Sequence, residues 1–431
     1  MEKVVKKSEK ITSAKPDQIW DVAVIGGGPA GMMAAGTAAE RGKRVILLEK
    51  NDSLGVKLLL TGGGRCNLTN AEFDVRKLLA KFKDSDKFLF SAFSKWGVMD
   101  TIDFFQNHGM QTKVEAGQRV FPASDSAQSV WDVLVEYMRS GKVTVRSNAP
   151  VVGFVKSSPD NDEKIQAIEL QTGELIYAKS FVLATGGKSR PETGSTGDGF
   201  TWLKKLGHTV SEPAASLVPI ATPNEWVKRL QGISLENVKI TVLQNNQKQA
   251  VKKGKILFTH FGLTGPTILN MSKDIGELLK YGPVEISLDI LPTLDYGQLN
   301  TKLQEIFAIE NKKKFKNSLN SLAPSALAIA IVNLSQINPD ANCSNITREE
   351  RLHLVQVLKD LRINVAGLLG TDKAIVTSGG VTLDEVDFRT MQSRISPNLY
   401  LVGDILDIDR PSGGYSLQIC WTTGHVAGLN A

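Results

Sequence analysis

The chain has 431 residues, of which 42% are hydrophobic and 22% are charged, and its formal net charge is +6. This length is too great for a single hydrophobic core and predicts two or three domains, and the composition is that of a soluble globular protein. The three cysteines form no Cys-x-x-Cys pair, which argues against a dithiol–disulfide mechanism and favours a reducing, cytoplasmic compartment.

Two features of the sequence bear on its partners. Residues 22–39 are uncharged, but their glycines and proline suit a strand-turn-helix better than a membrane span, so we expect no membrane association. The lysine-rich runs at 252–255 and 312–316 have no regular interleaving of aromatic or arginine residues. They therefore favour a solvated face over a nucleic-acid surface.

In chain order, the first 18 residues predict a polar tail, and the residues after them predict a βαβ opening of strand, helix and strand: 20–25, 29–41 and 44–48. A Gly-rich loop at 51–70 leads to a helical pattern over 76–108. Short alternating segments then predict an antiparallel meander, with a separate buried strand after it: 143–146, 151–155, 164–170, 175–178 and 181–184.

Residues 208–373 predict an inserted domain that is partly β, with barrel-like alternation, and partly helical. Within it, Thr347 and Glu350 predict a capping box, and one face of the following helix is expected to carry Leu352, Val355, Leu358 and Leu361. From residue 374 the pattern is α/β again. The expected architecture is an α/β, Rossmann-like domain in two chain segments, 19–207 and 374–431, which the inserted domain interrupts.

The clearest binding signal is Gly26-x-Gly28-x-x-Gly31, placed between a predicted strand and a predicted helix. Gly26 permits the tight turn, Gly28 lets the backbone approach a pyrophosphate, and Gly31 lets helix and strand pack closely. Glu49 ends the second strand, where a carboxylate accepts hydrogen bonds from a ribose 2′-hydroxyl. These residues predict a dinucleotide site, although the pattern alone does not separate FAD from NAD.

Seven segments are distinctive: KLLLTGGGRCNLTN at 57–70, QRVFP at 118–122, ATGG at 184–187, GSTGDG at 194–199, THFGLTGP at 259–266, SGGV at 378–381 and GGYSLQ at 413–418. Together and in this order, they resemble a family of bacterial flavoproteins described as HI0933-like or BaiN-like, which are NAD(P)/FAD-dependent oxidoreductases. The likeness covers nearly all of the chain after the tail.

The resemblance implies that FAD is the cofactor, held in a glutathione-reductase-type domain with an inserted cap. It implies that Gly403-Asp404 meets the ribityl or phosphate end of FAD and that the last helix aims its N–H groups at the flavin N1/O2 edge. Besides the fingerprint and Glu49, the residues expected at FAD are Pro29, Ala30, Lys50, Lys57, Thr61, Gly64, Arg65, Cys66, Asn67, Val151, Thr185, Gly186, Gly187, Gly403, Asp404, Tyr415, Ser416 and Leu417.

Four positions depart from the pattern of the family. This chain has Asp404 where Glu is expected, Arg394 where Lys is expected, Ser416 where Asn is expected and Arg410 where Gly is expected. The first two keep the charge. Ser416 and Arg410 are expected near the flavin ring, where they bear on the identity of the substrate and not on FAD binding.

Three residues are candidates for chemistry. Tyr415 is a proton donor or an aromatic wall at the flavin, and His260 is a proton donor on the substrate side or a structural histidine. Cys66 is a thiol that faces the flavin or, as we favour, a small buried residue. Arg65 follows three glycines and is expected to contact a ligand rather than to form a loop-fixing salt bridge. The histidines lack ligand-like spacing, and no metal site is expected.

The expected function is flavin-dependent oxidoreduction, in which NADH or NADPH reduces FAD and a hydride passes to a small organic acceptor such as an unsaturated ketone. No second GxGxxG follows a strand, so the nicotinamide would visit transiently. An oxygen-coupled amine oxidase is the nearest alternative. An RNA-modifying flavoprotein, which we would expect to carry a further helical domain, and a non-catalytic flavin sensor are alternatives of other classes. The oligomeric state is not predicted.

Overall fold

In the computed structural model, the described residues are 19–156, 164–370 and 376–431, so the predicted tail lies outside them. The chain divides into two units, Met1–Ala214 with Val376–Ala431, and Ala215–Ile375. Each unit has its own cluster of buried apolar side chains.

The strands are β1 Trp20–Ile25, β2 Val45–Leu48, β3 Thr69–Asn70, β4 Thr112–Glu115, β5 Arg119–Pro122, β6 Thr144–Arg146, β7 Val151–Lys156, β8 Ile165–Leu170, β9 Leu175–Leu183, β10 Val210–Ser216, β11 Ile220–Ala221, β12 Ser234–Gln244, β13 Gln247–Thr259, β14 Gly262–Thr264, β15 Val284–Asp289, β16 Leu361–Val365, β17 Gly367–Leu368, β18 Val376–Val381 and β19 Leu399–Leu401. The helices are α1 Pro29–Glu40, α2 Val56–Leu60, α3 Val75–Leu79, α4 Asp86–Lys95, α5 Val98–Asn107, α6 Ala127–Ser140, α7 Asp198–Leu206, α8 Glu225–Lys228, α9 Pro266–Leu279, α10 Tyr296–Ile309, α11 Ser325–Leu334, α12 Arg348–Lys359 and α13 Tyr415–Asn430.

The first unit is built on a sheet in the order β6-β2-β1-β9-β8-β7, with β19 also paired to β9. Strands β6, β2, β1, β9 and β19 run parallel, whereas β7 and β8 form an antiparallel hairpin on the first half of β9. The apolar sequences of β1 and β2 suit a parallel sheet, whose strands are buried on both faces. The predicted βαβ opening and Rossmann-like class are therefore confirmed.

Three details of the predicted elements are wrong. Strand β6 does not belong to the antiparallel meander but pairs in parallel with β2, because helix α6 returns the chain before β6 begins. The segments 175–178 and 181–184 are one strand, β9, which pairs with β8 at its start and with β19 at its end. Residue alternation reports strand conformation but not the partner strand. The loop predicted at 51–70 also contains α2 and a 3₁₀ turn at Thr61–Gly64.

Helix α13 packs directly against α1. A Cβ on Gly424 would lie 2.5 Å from the carbonyl oxygen of Ala30, and a Cβ on Gly428 would lie 2.6 Å from that of Ala34. Glycine lets the two backbones approach this closely. Since positions four apart on one helix meet positions four apart on the other in the same order, the helices run in the same direction. Their N-termini therefore point toward the same end of the unit.

The second unit is an antiparallel sheet in the order β16-β15-β12-β13-β14-β11-β17 together with helices α8 to α12. Its buried side chains come from both, for example Ile240 and Phe258 from the sheet and Leu327 and Leu354 from helices. Nowhere in 19–156, 164–370 or 376–431 does a helix have the length and apolar run needed to cross a bilayer.

Helix α12 begins as predicted. Thr347 Oγ1 accepts a hydrogen bond from the N–H of Glu350 at 3.1 Å, and Glu350 Oε2 accepts one from the N–H of Thr347 at 2.8 Å, which confirms the capping box. The predicted apolar face is only partly right. Leu358 is buried, but Leu352 is 41% exposed and Leu361 begins β16, because the helix ends at residue 359.

The burial of one histidine, His425, should make the free energy of unfolding depend on pH. His425, in α13, stacks on Trp96 with 3.9 Å between ring centroids, and burial lowers its pKa to about 4, although the charges of Glu40 and Asp100 act in the opposite direction. The unfolded chain takes up a proton near pH 6.5 that the folded chain does not accept until about pH 4. We therefore expect the free energy of unfolding to fall as the pH falls through this window.

Urea unfolding at a series of pH values checks this expectation. His425→Asn should flatten the profile in the window because an amide does not titrate. His353, which is exposed on α12, provides the control, and His353→Asn should keep the wild-type slope. His208 is buried between Glu385 and Ser393 and contributes in the same direction, so some slope should remain. An identical slope in wild type and His425→Asn would contradict the prediction.

Candidate functional site

The glycine fingerprint forms a tight turn between β1 and α1. Gly26 has a φ of +102°, and a Cβ there would lie 2.6 Å from the carbonyl oxygen of Ala184. A Cβ on Gly31 would lie 1.9 Å from the carbonyl oxygen of Gly26. At Gly28, by contrast, a Cβ would meet no described atom within 4 Å. The backbone is thus open at Gly28, just before Pro29 begins the helix, where free N–H groups favour a phosphate.

Glu49 is held beside this turn. Its side chain is largely buried, Oε2 accepts a hydrogen bond from the N–H of Gly27 at 2.7 Å, and Oε1 accepts one from the N–H of Asn51 at 2.9 Å. A carboxylate has about four acceptor positions. The fixed carboxylate can therefore still accept from a ribose hydroxyl.

Thr185 follows β9 and lies against the same turn, since a Cβ on Gly26 would be 3.2 Å from the Thr185 nitrogen. Its Oγ1 is buried and has no hydrogen-bond partner among the described residues. Leaving a buried hydroxyl unsatisfied costs about 1–3 kcal/mol, which a polar ligand would remove. The hydroxyl lies toward α7, because a Cβ on Gly199 would be 2.2 Å from Oγ1. The open backbone at Gly28 and the acceptor Glu49 are therefore the features that fit the phosphate and ribose groups of FAD.

The segment around Gly403 approaches the start of α1. A Cβ on Gly403 would lie 3.1 Å from the Cβ of Ala30, and one on Gly187 would lie 3.4 Å from the carbonyl oxygen of Asp404. The Asp404 carboxylate is 3.7 Å from Lys57 Nζ, which donates to Ser189 Oγ at 2.6 Å. Sequence-predicted residues from four separate segments, represented by Ala30, Lys57, Gly187 and Asp404, therefore come together here.

The start of α13 rests on β3. A Cβ on Gly414 would be 2.4 Å from the Thr69 carbonyl oxygen, which is why this position requires glycine. The Asn67 amide accepts from the Gly414 N–H at 2.9 Å and donates to the Thr69 carbonyl at 3.1 Å. Asn70 Nδ2 donates to the Gly413 carbonyl at 3.1 Å, while its buried Oδ1 has no partner among the described residues. These contacts fix the first turn of α13.

Asn70 is a candidate that the sequence prediction missed. It ends the distinctive segment at 57–70, which was the available signal, but only the structure shows its bond to Gly413 and its unsatisfied oxygen. Ser416 and Leu417 follow in the first turn of α13.

Arg65 adopts the arrangement that the sequence left as the less favoured alternative. Its guanidinium forms ion pairs with Glu115 and Asp125 and lies over the ring of Phe121, 4.3 Å from the centroid. The hydrogen bond from Arg65 lowers the pKa of Glu115, and the hydrogen bonds from Lys113 and then Arg65 lower the pKa of Asp125. Arg65 therefore fixes its loop through two carboxylates, and a ligand contact stays a prediction.

The remaining predicted cofactor residues also lie in the first unit. Lys50 Nζ donates to Thr196 Oγ1 at 2.6 Å and pairs with Asp198 at 2.9 Å. Thr61 and Gly64 belong to the 3₁₀ turn, and Val151 begins β7. In the described part of the chain, no three His, Cys, Asp or Glu side chains come together to hold a metal ion.

The three candidates for chemistry differ in their surroundings. Tyr415 is largely buried at the first position of α13, where burial and the charge of Glu72 raise its pKa, so the phenol keeps its proton near neutral pH. Cys66 is fully buried, and burial raises its pKa to about 12, which suits a small buried residue better than a reactive thiol. His260 is exposed in the turn between β13 and β14, which belongs to the second unit.

Burial makes a simple prediction for all three cysteines. Cys66, Cys343 and Cys420 are free and buried, and burial raises the pKa of each thiol. We expect the folded protein to react slowly with a thiol reagent such as dithionitrobenzoate, and the unfolded protein to react at all three positions at once. Rapid reaction of one thiol in the folded protein, lost in Cys66→Ala, would show that Cys66 is accessible and would contradict this prediction.

Comparisons with known proteins agree on the family. The sequence model of the HI0933-like protein Rossmann domain matches residues 20–430. The chain is 31% identical to the ribosomal RNA dihydrouridine synthase of Escherichia coli K12, over 94% of this chain and 96% of that protein. It is 29% identical to the 3-dehydro-bile acid delta(4,6)-reductase of Clostridium scindens, over 95% and 98%.

Solved structures support the fold. The 3-ketosteroid delta1-dehydrogenase of Sterolibacterium denitrificans is 13% identical with a TM-score of 0.55, over 96% of this chain and 99% of that chain. The 3-ketosteroid-delta4-(5alpha)-dehydrogenase of Rhodococcus jostii RHA1 is 14% identical with a TM-score of 0.52, over 99% of both. The family match spans nearly the whole chain, so the protein belongs to the HI0933-like family and is an FAD-dependent oxidoreductase.

Proposed function

We propose that this protein reduces a carbon–carbon double bond conjugated to a carbonyl group, with NADH or NADPH as the source of electrons. The observation that carries the proposal is shared by its two relatives of nearly equal similarity. One is named for making dihydrouridine, which is uridine with its ring double bond reduced, and the other for reducing the 4,6 double bonds of a 3-keto bile acid. Their substrates differ, but in both the reduced bond is conjugated to a carbonyl.

In this proposal, FAD is held by the fingerprint, Glu49, Thr185 and the Asp404 segment. Bound FAD would supply two-electron chemistry as a hydride donor and acceptor. Reduction of the double bond needs one hydride and one proton, and the residues of the chain must supply the proton. Tyr415 is the candidate donor because it lies at the start of α13 and its raised pKa keeps the phenol protonated.

Removing this phenol should slow the second half of the reaction. We expect Tyr415→Phe to reduce the rate at which the reduced enzyme transfers electrons to the acceptor by about 100-fold, with reduction by NAD(P)H unchanged. Rapid mixing under anaerobic conditions measures the two halves separately. The matched control is Tyr400→Phe, because Tyr400 is also buried in the first unit and bonds to the Asn430 carbonyl at the end of α13. Equal slowing in both variants would argue against proton donation by Tyr415.

A uracil ring in RNA is the second candidate substrate, and the charge distribution favours it. Residues 215–375 carry 19 Lys and Arg against 14 Asp and Glu, so the second unit has +5 of the net charge of +6. Five lysines and one glutamate lie in 234–259, and Lys239 lies directly opposite Lys253 in the β12–β13 pair. Like charges in this position destabilise a sheet, and a polyanion would offset the repulsion.

One experiment separates the substrate classes. The FAD-loaded protein, reduced anaerobically with NADH or NADPH, is mixed with a cyclic enone, a 3-keto-4,6-diene steroid, or an RNA transcript rich in uridine. Reoxidation of the flavin together with a product that has gained two hydrogens supports the proposal and identifies the class. A flavin that an amine reduces and that dioxygen alone reoxidises would contradict the proposal and favour the amine oxidase.

A further inference from the structure

Arg410 is the most deeply buried charged side chain near the proposed FAD site. Its side chain is 1% exposed and forms an ion pair with Asp404. Its Nη1 donates to the Ile408 carbonyl at 2.6 Å, and its Nε donates to Ser416 Oγ at 3.2 Å. These three nitrogen–oxygen contacts, one from each guanidinium nitrogen, hold the guanidinium in one orientation.

Arg410 shares its carboxylate partner with a second basic side chain. The Asp404 carboxylate, 15% exposed, lies between two cations, because Lys57 Nζ is 3.7 Å from its second oxygen. Burial lowers the pKa of Lys57, the Asp404 carboxylate acts in the opposite direction, and the positive charge of Arg410 lowers the pKa further. Two basic side chains therefore share one carboxylate, and the guanidinium of Arg410 is the more deeply buried of the two. A buried guanidinium that shares its carboxylate is stabilised further when an anion binds beside it.

The position of the cluster indicates which anion would benefit. Ser416 is the second residue of α13, so Arg410 is tied to the first turn of that helix. Gly403, which precedes Asp404, lies against Ala30 in the first turn of α1. The two helices run in the same direction, so both positive helix ends and the Arg410 guanidinium lie on one side of the first unit.

We infer that Arg410 raises the reduction potential of the bound flavin by stabilising its negatively charged reduced form. This inference rests on the FAD site proposed above but not on any choice of substrate. Arg410 is tied to the helix start that is expected to face the flavin N1/O2 edge, which becomes negatively charged on reduction. A fixed positive charge there favours the reduced form over the neutral oxidised form.

Three of the four departures from the family pattern are in direct contact through this residue. Arg410 replaces the expected Gly, and it contacts the two other replaced positions: Asp404, where Glu is expected, and Ser416, where Asn is expected. The shorter carboxylate and the smaller hydroxyl side chain are the partners of the guanidinium. The three residues therefore form one hydrogen-bonded set, and the buried guanidinium is the feature in which this chain differs from the pattern it otherwise follows.

The midpoint potential of the FAD-loaded protein tests the inference. Arg410→Met removes the charge with little change in length, and Arg410→Lys keeps the charge. Arg410→Met leaves Lys57 as the remaining cationic partner of Asp404. The combined variant Asp404→Glu, Arg410→Gly, Ser416→Asn therefore serves as a second neutral variant, in which all three positions carry the residues of the family pattern. FAD content is measured for each variant, and the potential is followed by reductive dye titration at several pH values.

We expect the potential to fall in Arg410→Met and in the combined variant by the equivalent of at least a tenfold weaker stabilisation of the reduced form, about 30 mV for a two-electron couple. Arg410→Lys should stay closer to wild type. The pH dependence should change from uptake of one proton per two electrons in wild type toward two in both neutral variants, which a merely structural residue would not cause. An unchanged potential in the combined variant, or loss of FAD from both neutral variants, would overturn the inference. Inactivity toward every conjugated acceptor would count against the proposed function but would leave this measurement intact.

Discussion

Gly28→Val is expected to reduce FAD affinity at least 100-fold while leaving the apo protein folded. Gly28 has an extended backbone, with φ −77° and ψ −179°, which any residue can adopt, and a Cβ there would meet no described atom within 4 Å. The added side chain would instead occupy the space through which a pyrophosphate approaches the start of α1. Valine is a weaker N-cap than glycine, so the free energy of unfolding should fall by only about 1 kcal/mol or less.

Flavin fluorescence titration of the apo protein gives the affinity, and urea unfolding without FAD gives the stability. Gly28→Ala is the graded control and should lose less affinity than Gly28→Val, since its single methyl fills less of the space. FAD binding by Gly28→Val at wild-type affinity would place the nucleotide elsewhere and would contradict the proposed site.

Gly31→Ala, three residues away, should have the opposite effect and destabilise the fold itself. Its Cβ would lie 1.9 Å from the carbonyl oxygen of Gly26, and the obstructing atom belongs to the backbone, which cannot rotate away. Separating α1 from the turn would disturb the packing of the whole βαβ unit, at a cost of about 3 kcal/mol or more.

The matched pair for this measurement is Gly28→Ala and Gly31→Ala, which make the same chemical change in the same motif. Urea unfolding of the two apo proteins should give a stability close to wild type for the first and a large loss for the second. Equal stabilities would mean that the tight contact between Gly26 and Gly31 can relax, and the account of the fingerprint would then be wrong.

The sequence could predict the parts of the fold that rest on local pattern. The apolar run of β1, the glycine turn and the apolar run of β2 are contiguous, so the βαβ opening could be read directly. The capping box of α12 is equally local. The parallel pairing of β6 with β2 was missed because strand pairing depends on where α6 returns the chain, and residue alternation carries no such information.

The candidate site shows the same division. The glycines, Glu49 and Thr185 belong to recognisable segments, and the structure places them around one turn. The partners of individual side chains could not be predicted. The ion pairs of Arg65 with Glu115 and Asp125 link positions that are 50 and 60 residues apart in the chain.

The unsatisfied oxygen of Asn70 and the contacts of Arg410 likewise depend on tertiary packing. Arg410 could be recognised from the sequence as a departure from a pattern. Its bonds to Asp404 and Ser416, which turn three separate departures into one charged cluster, are visible only in three dimensions. The sequence shows which residues depart from the family pattern, but it does not show that these residues contact one another.

The most direct test of the central claim is the visible spectrum of the purified protein, followed anaerobically during addition of NADH or NADPH and then of a conjugated acceptor. The account predicts a flavin spectrum that one of the two nucleotides bleaches and that a compound with a double bond conjugated to a carbonyl restores without oxygen. A protein that stays colourless after incubation with FAD would contradict the account. A bound flavin that neither nucleotide bleaches would contradict the proposed source of electrons.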